Sequence, residues 1–176
     1  SWSQVHRFSV KDRDTRDPHF LVFKDQLFVY TGTWWSGPGQ IEPKEYDMNK
    51  MLGFAVFSDD GTKWSEPTML EGTFGLYIWR AAAHDGKAFL CGRRKPGYDI
   101  GPKGEGSRIQ SLMLESDDGL VWKQRAYFNE TAGDETAFLF EQDGSVLAIG
   151  RNGGGKEAFL LRSKPPYTNW NRQQFD

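Results

Sequence analysis

The chain has 176 residues, of which 22 are Lys or Arg and 24 are Asp or Glu, for a formal net charge of −2. That length suits one domain, and the two signs are interspersed, so no basic field is present to draw nucleic acid or an anionic membrane. No apolar run approaches the ~18 residues of a membrane-spanning helix, and an aromatic share of 15% with 20 Gly and 8 Pro favours short strands and frequent turns over long helices.

In chain order, "HFLVFK" (19–24) and "DQLFVYTG" (25–32) read as two strands joined by a tight turn containing Asp25, and "GFAVFS" (53–58) as a third. The pattern recurs as "WRAAAH" (79–84), "DGKAFLCG" (85–92) and "QSLMLES" (110–116), and again as "TAFLFEQ" (136–142), "DGSVLAIG" (143–150) and "AFLLRS" (158–163). The second strands align without a gap at spacings of 60 and 58 residues. A polar stretch after each unit is expected to add a fourth, outer strand. Cys91 lies in the apolar run of the second unit, so it is expected to be a buried, inert thiol. One cysteine leaves the compartment open, with an extracellular or periplasmic location favoured.

The third strand of the first two units runs into "SDDGTKW" (58–64) and "SDDGLVW" (116–122). Ser and Asp side chains can bond amides two or three residues on, Gly accepts a positive φ, and Trp can fold back over the sheet as an apolar plug with its indole N–H seeking a carbonyl. Ser58, Asp60, Gly61, Trp64, Ser116, Asp118, Gly119 and Trp122 are therefore read as structural. "SKPPYTNW" (163–170) keeps Ser163 and Trp170 but loses the Asp-Gly.

These turns resemble the Asp-box, or BNR repeat, of the sialidase (neuraminidase) superfamily, in a seven-residue variant of the usual Ser-x-Asp-x-Gly-x-Thr-Trp. With a four-stranded unit written three times, the resemblance implies an all-β fold, a β-propeller of sialidase type with three four-stranded blades. The expected blades are 11–64, 65–122 and 123–170, with 1–10 the outer strand of a preceding or closing blade and Trp2 in the place of a box Trp. A sialidase-type ring has six blades. Three arrangements stay open: part of a longer chain, a half-ring completed by a second copy, or an open three-blade stack. The start at Ser1 without Met also raises an upstream segment or leader as an expectation.

In a propeller the starts of the innermost strands and the loops after the second strands gather at one face. Those positions hold Arg16, Asp17, His19, Trp34 and Trp35 in the first unit, Tyr77, Trp79, Arg80, Arg93, Arg94 and Asp99 in the second, and Asp134, Glu135, Arg151 and Asn152 in the third. "DETAFLFEQDGSVLAIGRNGG" looks like the sialidase segment carrying a catalytic Glu and, further on, an Arg that grips the substrate carboxylate, which implies those roles for Glu135 and Arg151. "YIWRAAAH" is similar to the family's early Tyr-Arg-Ile-Pro strand, with Arg80 in the Arg position and Ala81-Ala82 in place of Ile-Pro. The same resemblance implies the place of the family's acid/base Asp, carried on a loop, for Asp99. The family's third Arg and Tyr nucleophile belong to later blades that this chain lacks. Arg16-Asp17-Pro18 also resembles a motif of five-bladed glycoside hydrolases, whose carboxylates line the channel.

The resulting candidates are Glu135, Asp99 and Asp17 as catalytic carboxylates, and Arg80, Arg151, Arg93, Arg16, Trp34 and Trp35 as sugar-binding groups. A planar guanidinium suits a carboxylate, and an exposed indole suits a sugar face. Each has a plainer alternative: Asp17 capping a turn before Pro18, Arg80 pairing with Glu135 or Asp17, Arg93 solvated, the two Trp capping the blade. His6, His19 and His84 lack metal-ligand spacing, and no cofactor or metal is expected. A carbohydrate is the expected ligand, with nucleic acid and membrane excluded, and a homo-oligomer or longer chain is expected to complete the ring. Three functions remain open: a glycoside hydrolase, a carbohydrate-binding propeller without hydrolysis, and a structural or interaction module.

Overall fold

The computed structural model describes residues 1–38, 51–96, 108–153, 155 and 157–175, among which no α-helix forms. Twelve strands make three four-stranded antiparallel sheets, each in sequence order. The first holds β1 (Arg13–Phe23), β2 (Gln26–Trp35), β3 (Leu52–Ser58) and β4 (Thr68–Met69). The second holds β5 (Tyr77–His84), β6 (Lys87–Arg94), β7 (Gln110–Ser116) and β8 (Lys123–Asn129). The third holds β9 (Thr136–Phe140), β10 (Val146–Gly150), β11 (Phe159–Ser163) and β12 (Trp170–Gln174). Asp99 lies outside the described residues, as does most of the Gly/Pro-rich stretch around it.

Period-2 alternation decides which face each strand buries. In β1, Leu21 and Phe23 are buried while Phe20 and Val22 are exposed. Leu21, Phe28 and Tyr30 of the first sheet pack on Ile78, Leu90 and Leu114 of the second. Phe89, Cys91 and Met113 on the opposite face of the second sheet pack on Val146, Ala148 and Leu161 of the third. The second sheet is thus sandwiched, and the innermost strands β1, β5 and β9 run side by side. Cys91 is fully buried in the second interface, and burial pushes its thiol up to about 12, which keeps it an unreactive thiol.

The two Ser-Asp-Asp-Gly turns have the same geometry. Ser58 Oγ accepts from the amides of Asp60 at 3.3 Å and Gly61 at 2.9 Å, and Asp60 Oδ1 accepts from those of Thr62 and Lys63, both at 2.8 Å. Ser116 Oγ accepts from Asp118 at 3.3 Å and Gly119 at 2.9 Å, and Asp118 Oδ1 from Leu120 and Val121, both at 2.8 Å. Gly61 and Gly119 supply the left-handed residue, with φ of 73° and 82°. In the third turn Ser163 Oγ donates instead to the Asn169 carbonyl at 2.6 Å, because Pro165 and Pro166 replace the residues that would offer amides.

The tryptophans of the second and third turns lie against the preceding sheet. Trp122 of the second sheet packs edge-on against Tyr30 of the first, and Trp170 of the third packs on Phe128 of the second. Trp64 has no preceding sheet and stacks on His6 of the N-terminal segment, with ring centroids 5.5 Å apart, so it is half-buried while Trp122 is 3% exposed. Among the described residues the carbonyl partner expected for the indoles is not formed, since Nε1 of Trp64, Trp122 and Trp170 has no hydrogen-bond partner there. Residues 1–10, expected as an outer strand, form none here, because no neighbouring strand offers a ladder, and Trp2 is fully exposed rather than a plug.

Candidate functional site

The N-terminal portions of β1, β5 and β9 and the C-terminal end of β10 meet at one face, where they enclose an open cleft of about 740 Å³. Asp17 and His19 contribute from β1, Tyr77, Trp79 and Arg80 from β5, Glu135 from the residue before β9, and Arg151 and Asn152 from the loop after β10.

Two inner strands present these side chains through breaks in their ladders. The β1–β2 register shifts between Arg16 and His19, where Asp17 has φ of 54° and Pro18 offers no amide. The freed Arg16 carbonyl accepts instead from Thr31 Oγ1 at 2.6 Å. The β5–β6 register shifts between Ile78 and Arg80, around Trp79. Each bulge re-aims a side chain that regular pleating would turn away.

Three clusters of polar contact follow. On the first wall, the Tyr77 hydroxyl donates to Asp17 Oδ2. The Tyr77 ring is buried and meets Trp34 edge-on at 5.6 Å. Gly32 permits this approach, since a Cβ there would lie 2.8 Å from the Tyr77 ring. Burial first, and then the Asp17 carboxylate, raise the Tyr77 phenol well above the usual tyrosine range. In the second cluster, Arg80 Nη1 lies 3.4 Å from His19 Nδ1. Burial and the charge of Arg80 hold His19 below the usual histidine range, which favours the neutral ring that can accept from a guanidinium.

On the third wall, Arg93 is paired with Asp134 in a shielded ion pair whose side chains are 15% and 9% exposed. Asp134 Oδ1 also accepts from the Glu135 amide at 2.9 Å. Glu135 itself points outward, with Arg151 Nη1 at 3.5 Å from Oε2 and Arg93 Nη1 at 4.0 Å from Oε1. Glu135 and Arg151 are both more than half exposed, so their pair contributes little to stability and leaves both groups accessible.

Of the sequence candidates, Asp17, Arg80, Glu135 and Arg151 come together in the cleft walls. Arg93 is placed behind them, with its guanidinium 5.6 Å from the Tyr77 ring centroid and 5.7 Å from that of Trp79. Arg16 pairs with Asp14 and covers the Trp34 ring at 4.9 Å, away from the lining. Trp34 backs Tyr77, and Trp35 donates to the Pro38 carbonyl at 3.4 Å. Sequence reading gave Tyr77 and Asp134 no role, although each stands at an inner-strand start beside a chosen residue. Their place among the face positions is the signal that marks them. Among the described residues no group of His, Cys, Asp and Glu is placed to hold a metal ion.

No protein-family model matches the chain, and no curated protein matches it. Solved structures do. A Hadza microbial sialidase, Hz136, superimposes with a TM-score of 0.65 at 17% identity over 92% of this chain and 34% of its own. The Trypanosoma rangeli sialidase in complex with the inhibitor DANA gives 0.61 at 16%, over 90% of this chain and 28% of its own. The RS223 β-xylosidase gives 0.60 at 17%, over 96% of this chain and 61% of its own. The fold is therefore that of a sialidase-type β-propeller, in three four-stranded blades, and the chain spans about a third of the length of the first sialidase it matches.

Proposed function

We propose that this chain carries the site of a glycoside hydrolase acting on a sugar that bears a carboxylate, in the manner of a sialidase, and that its Ser-Asp-Gly-Trp turns are Asp-boxes. The observation that carries the reading is the convergence of two carboxylates, Asp17 and Glu135, with two guanidiniums, Arg80 and Arg151, in the walls of one cleft on a propeller whose solved likenesses include sialidases and a β-xylosidase. Glycoside cleavage needs groups that give and take a proton at the bond. Glu135 and Asp17 are the candidates within the described residues, with Asp99 a further one outside them. Among the described residues Arg80 meets His19 rather than an acid, and burial with the Arg80 charge holds that histidine below its usual range, an arrangement suited to a guanidinium that serves a substrate carboxylate.

The test is hydrolysis of aryl glycosides, an aryl sialoside and an aryl xyloside run side by side. Turnover of the sialoside is expected, with Glu135→Gln lowering kcat at least ~100-fold and Arg80→Ala raising KM for the sialoside alone. Turnover of the xyloside only would move the substrate class to neutral sugars. Glycan binding with no turnover of either would make the protein a carbohydrate-binding propeller.

A further inference from the structure

Each acidic wall of the cleft is held in part from the second sheet. Glu135 has Arg151 of its own sheet, whose amide donates to the Glu135 carbonyl at 2.8 Å, but further contacts come from the neighbouring sheet. Asp17 sits in a left-handed bulge residue, which leaves its side chain without a regular ladder to orient it. Its carboxylate is fixed from the second sheet by the Tyr77 hydroxyl. Glu135 precedes the first residue of β9, and its amide is fixed by Asp134, which is held in turn by Arg93 of the second sheet. Tyr77 and Arg93 also touch, the guanidinium standing 5.6 Å from the phenol ring centroid. An unbroken chain of contacts therefore runs Asp17, Tyr77, Arg93, Asp134, Glu135, and its interior members are shielded: Tyr77 is 3% exposed and the Arg93 and Asp134 side chains 15% and 9%.

We propose that Tyr77 and Arg93 are positioning residues that set Asp17 and Glu135 against each other across the cleft. In this role Tyr77 keeps Asp17 Oδ2 occupied and turns Oδ1 to the substrate. Arg93 keeps Asp134 as an anchor for the Glu135 backbone and places positive charge between the acidic walls, which moderates their mutual repulsion. The second sheet thereby sets the separation of two groups supplied by its neighbours. A structure built on two bulges and a loop start would otherwise leave that separation loose by an amount that matters to catalysis.

The proposal rests on the hydrolase reading for its kinetic consequence and is separable from it. The whole chain is used throughout. Tyr77→Phe removes the one hydroxyl and keeps the packed ring. It is expected to lower kcat for the aryl glycoside roughly 10- to 100-fold with KM within about twofold. Arg93→Lys, which keeps the charge, is expected to lose less than Arg93→Met. Loss in the Tyr77→Phe, Arg93→Met double variant is expected to fall short of the product of the single losses, because both act on one network. Independently of activity, the phenol of Tyr77 is titrated by ultraviolet difference absorbance and assigned by its disappearance in Tyr77→Phe. Asp17→Asn is expected to move that titration to lower pH, since it removes the carboxylate that disfavours the phenolate. A Tyr77→Phe variant with wild-type kcat, or a phenol titration that Asp17→Asn leaves in place, overturns the proposal. Should the wild-type protein turn over no glycoside, the hydrolase reading fails and the phenol titration alone decides the network.

Discussion

At the scale of single residues, the two Ser-Asp-Asp-Gly turns show how a short motif acts through hydrogen bonds alone. Asp60 is fully solvated, yet the Lys63 and Thr62 amides, with help from the Thr62 and Ser58 side chains, hold its carboxyl down to about 2. A carboxylate depressed in the folded chain stabilises above its unfolded value of about 3.9. That contribution is lost as pH falls through the folded value. Urea unfolding of wild type and Asp60→Asn should therefore differ at pH 5 and converge toward pH 2. A gap that stays constant over that window would show that the Asp60 charge plays no part. Asp118 is lowered as well: burial works against its ionisation, but the Val121 and Leu120 amides and Ser116 outweigh it.

At the scale of strands and turns, the plug tryptophans are one residue type in two settings. Trp122 is sealed between the first and second sheets, while Trp64 is half-buried and stacks on His6 of the N-terminal segment. Trp122→Ala is expected to cost about 3–5 kcal/mol, the range for deleting a buried aromatic. Trp64→Ala is expected to cost roughly 1–2 kcal/mol, in proportion to the smaller apolar area it keeps from water. Denaturant titration of both variants checks this, and equal losses would contradict this difference in packing. The strands were legible because short apolar runs such as Phe20, Leu21, Val22, Phe23 are bounded by turn residues. A run apolar on both sides does not state which face is buried, and only the packing of the sheets chose Leu21 and Phe23. The bulges at Asp17 and Trp79 were not legible, because a ladder shift depends on the partner strand's register and leaves no periodic trace. Those shifts are what bring Asp17 and Arg80 into the cleft.

At the scale of the whole molecule, the three sheets of the described residues leave two faces that no fourth sheet among those residues covers. Phe20, Val22 and Met69 on the first sheet are 63%, 71% and 54% exposed, and Leu139 and Ile149 on the third are 51% and 48% exposed. Large exposed apolar faces favour association. The isolated chain is expected to associate in a concentration-dependent way in analytical ultracentrifugation, and Phe20→Glu with Val22→Lys is expected to weaken that association. A monomer at all concentrations would show that these faces need no partner.

The sequence by itself determined the repeat, its four-stranded unit, the turn chemistry and the end of each sheet at which charge collects, because these follow from local periodicity and from what Ser, Asp and Gly can bond within a few residues. Only the tertiary structure decided which of those charges face the cleft. Arg93 and Arg151 are both arginines at the end of a second strand, yet one is shielded behind the wall and the other forms part of it. Tyr77 and Trp79 of its own sheet flank the Arg93 guanidinium, and the difference lies in Asp134, which reaches it from across a sheet boundary. Contacts of that kind depend on the packing distance between sheets, which no stretch of local sequence records.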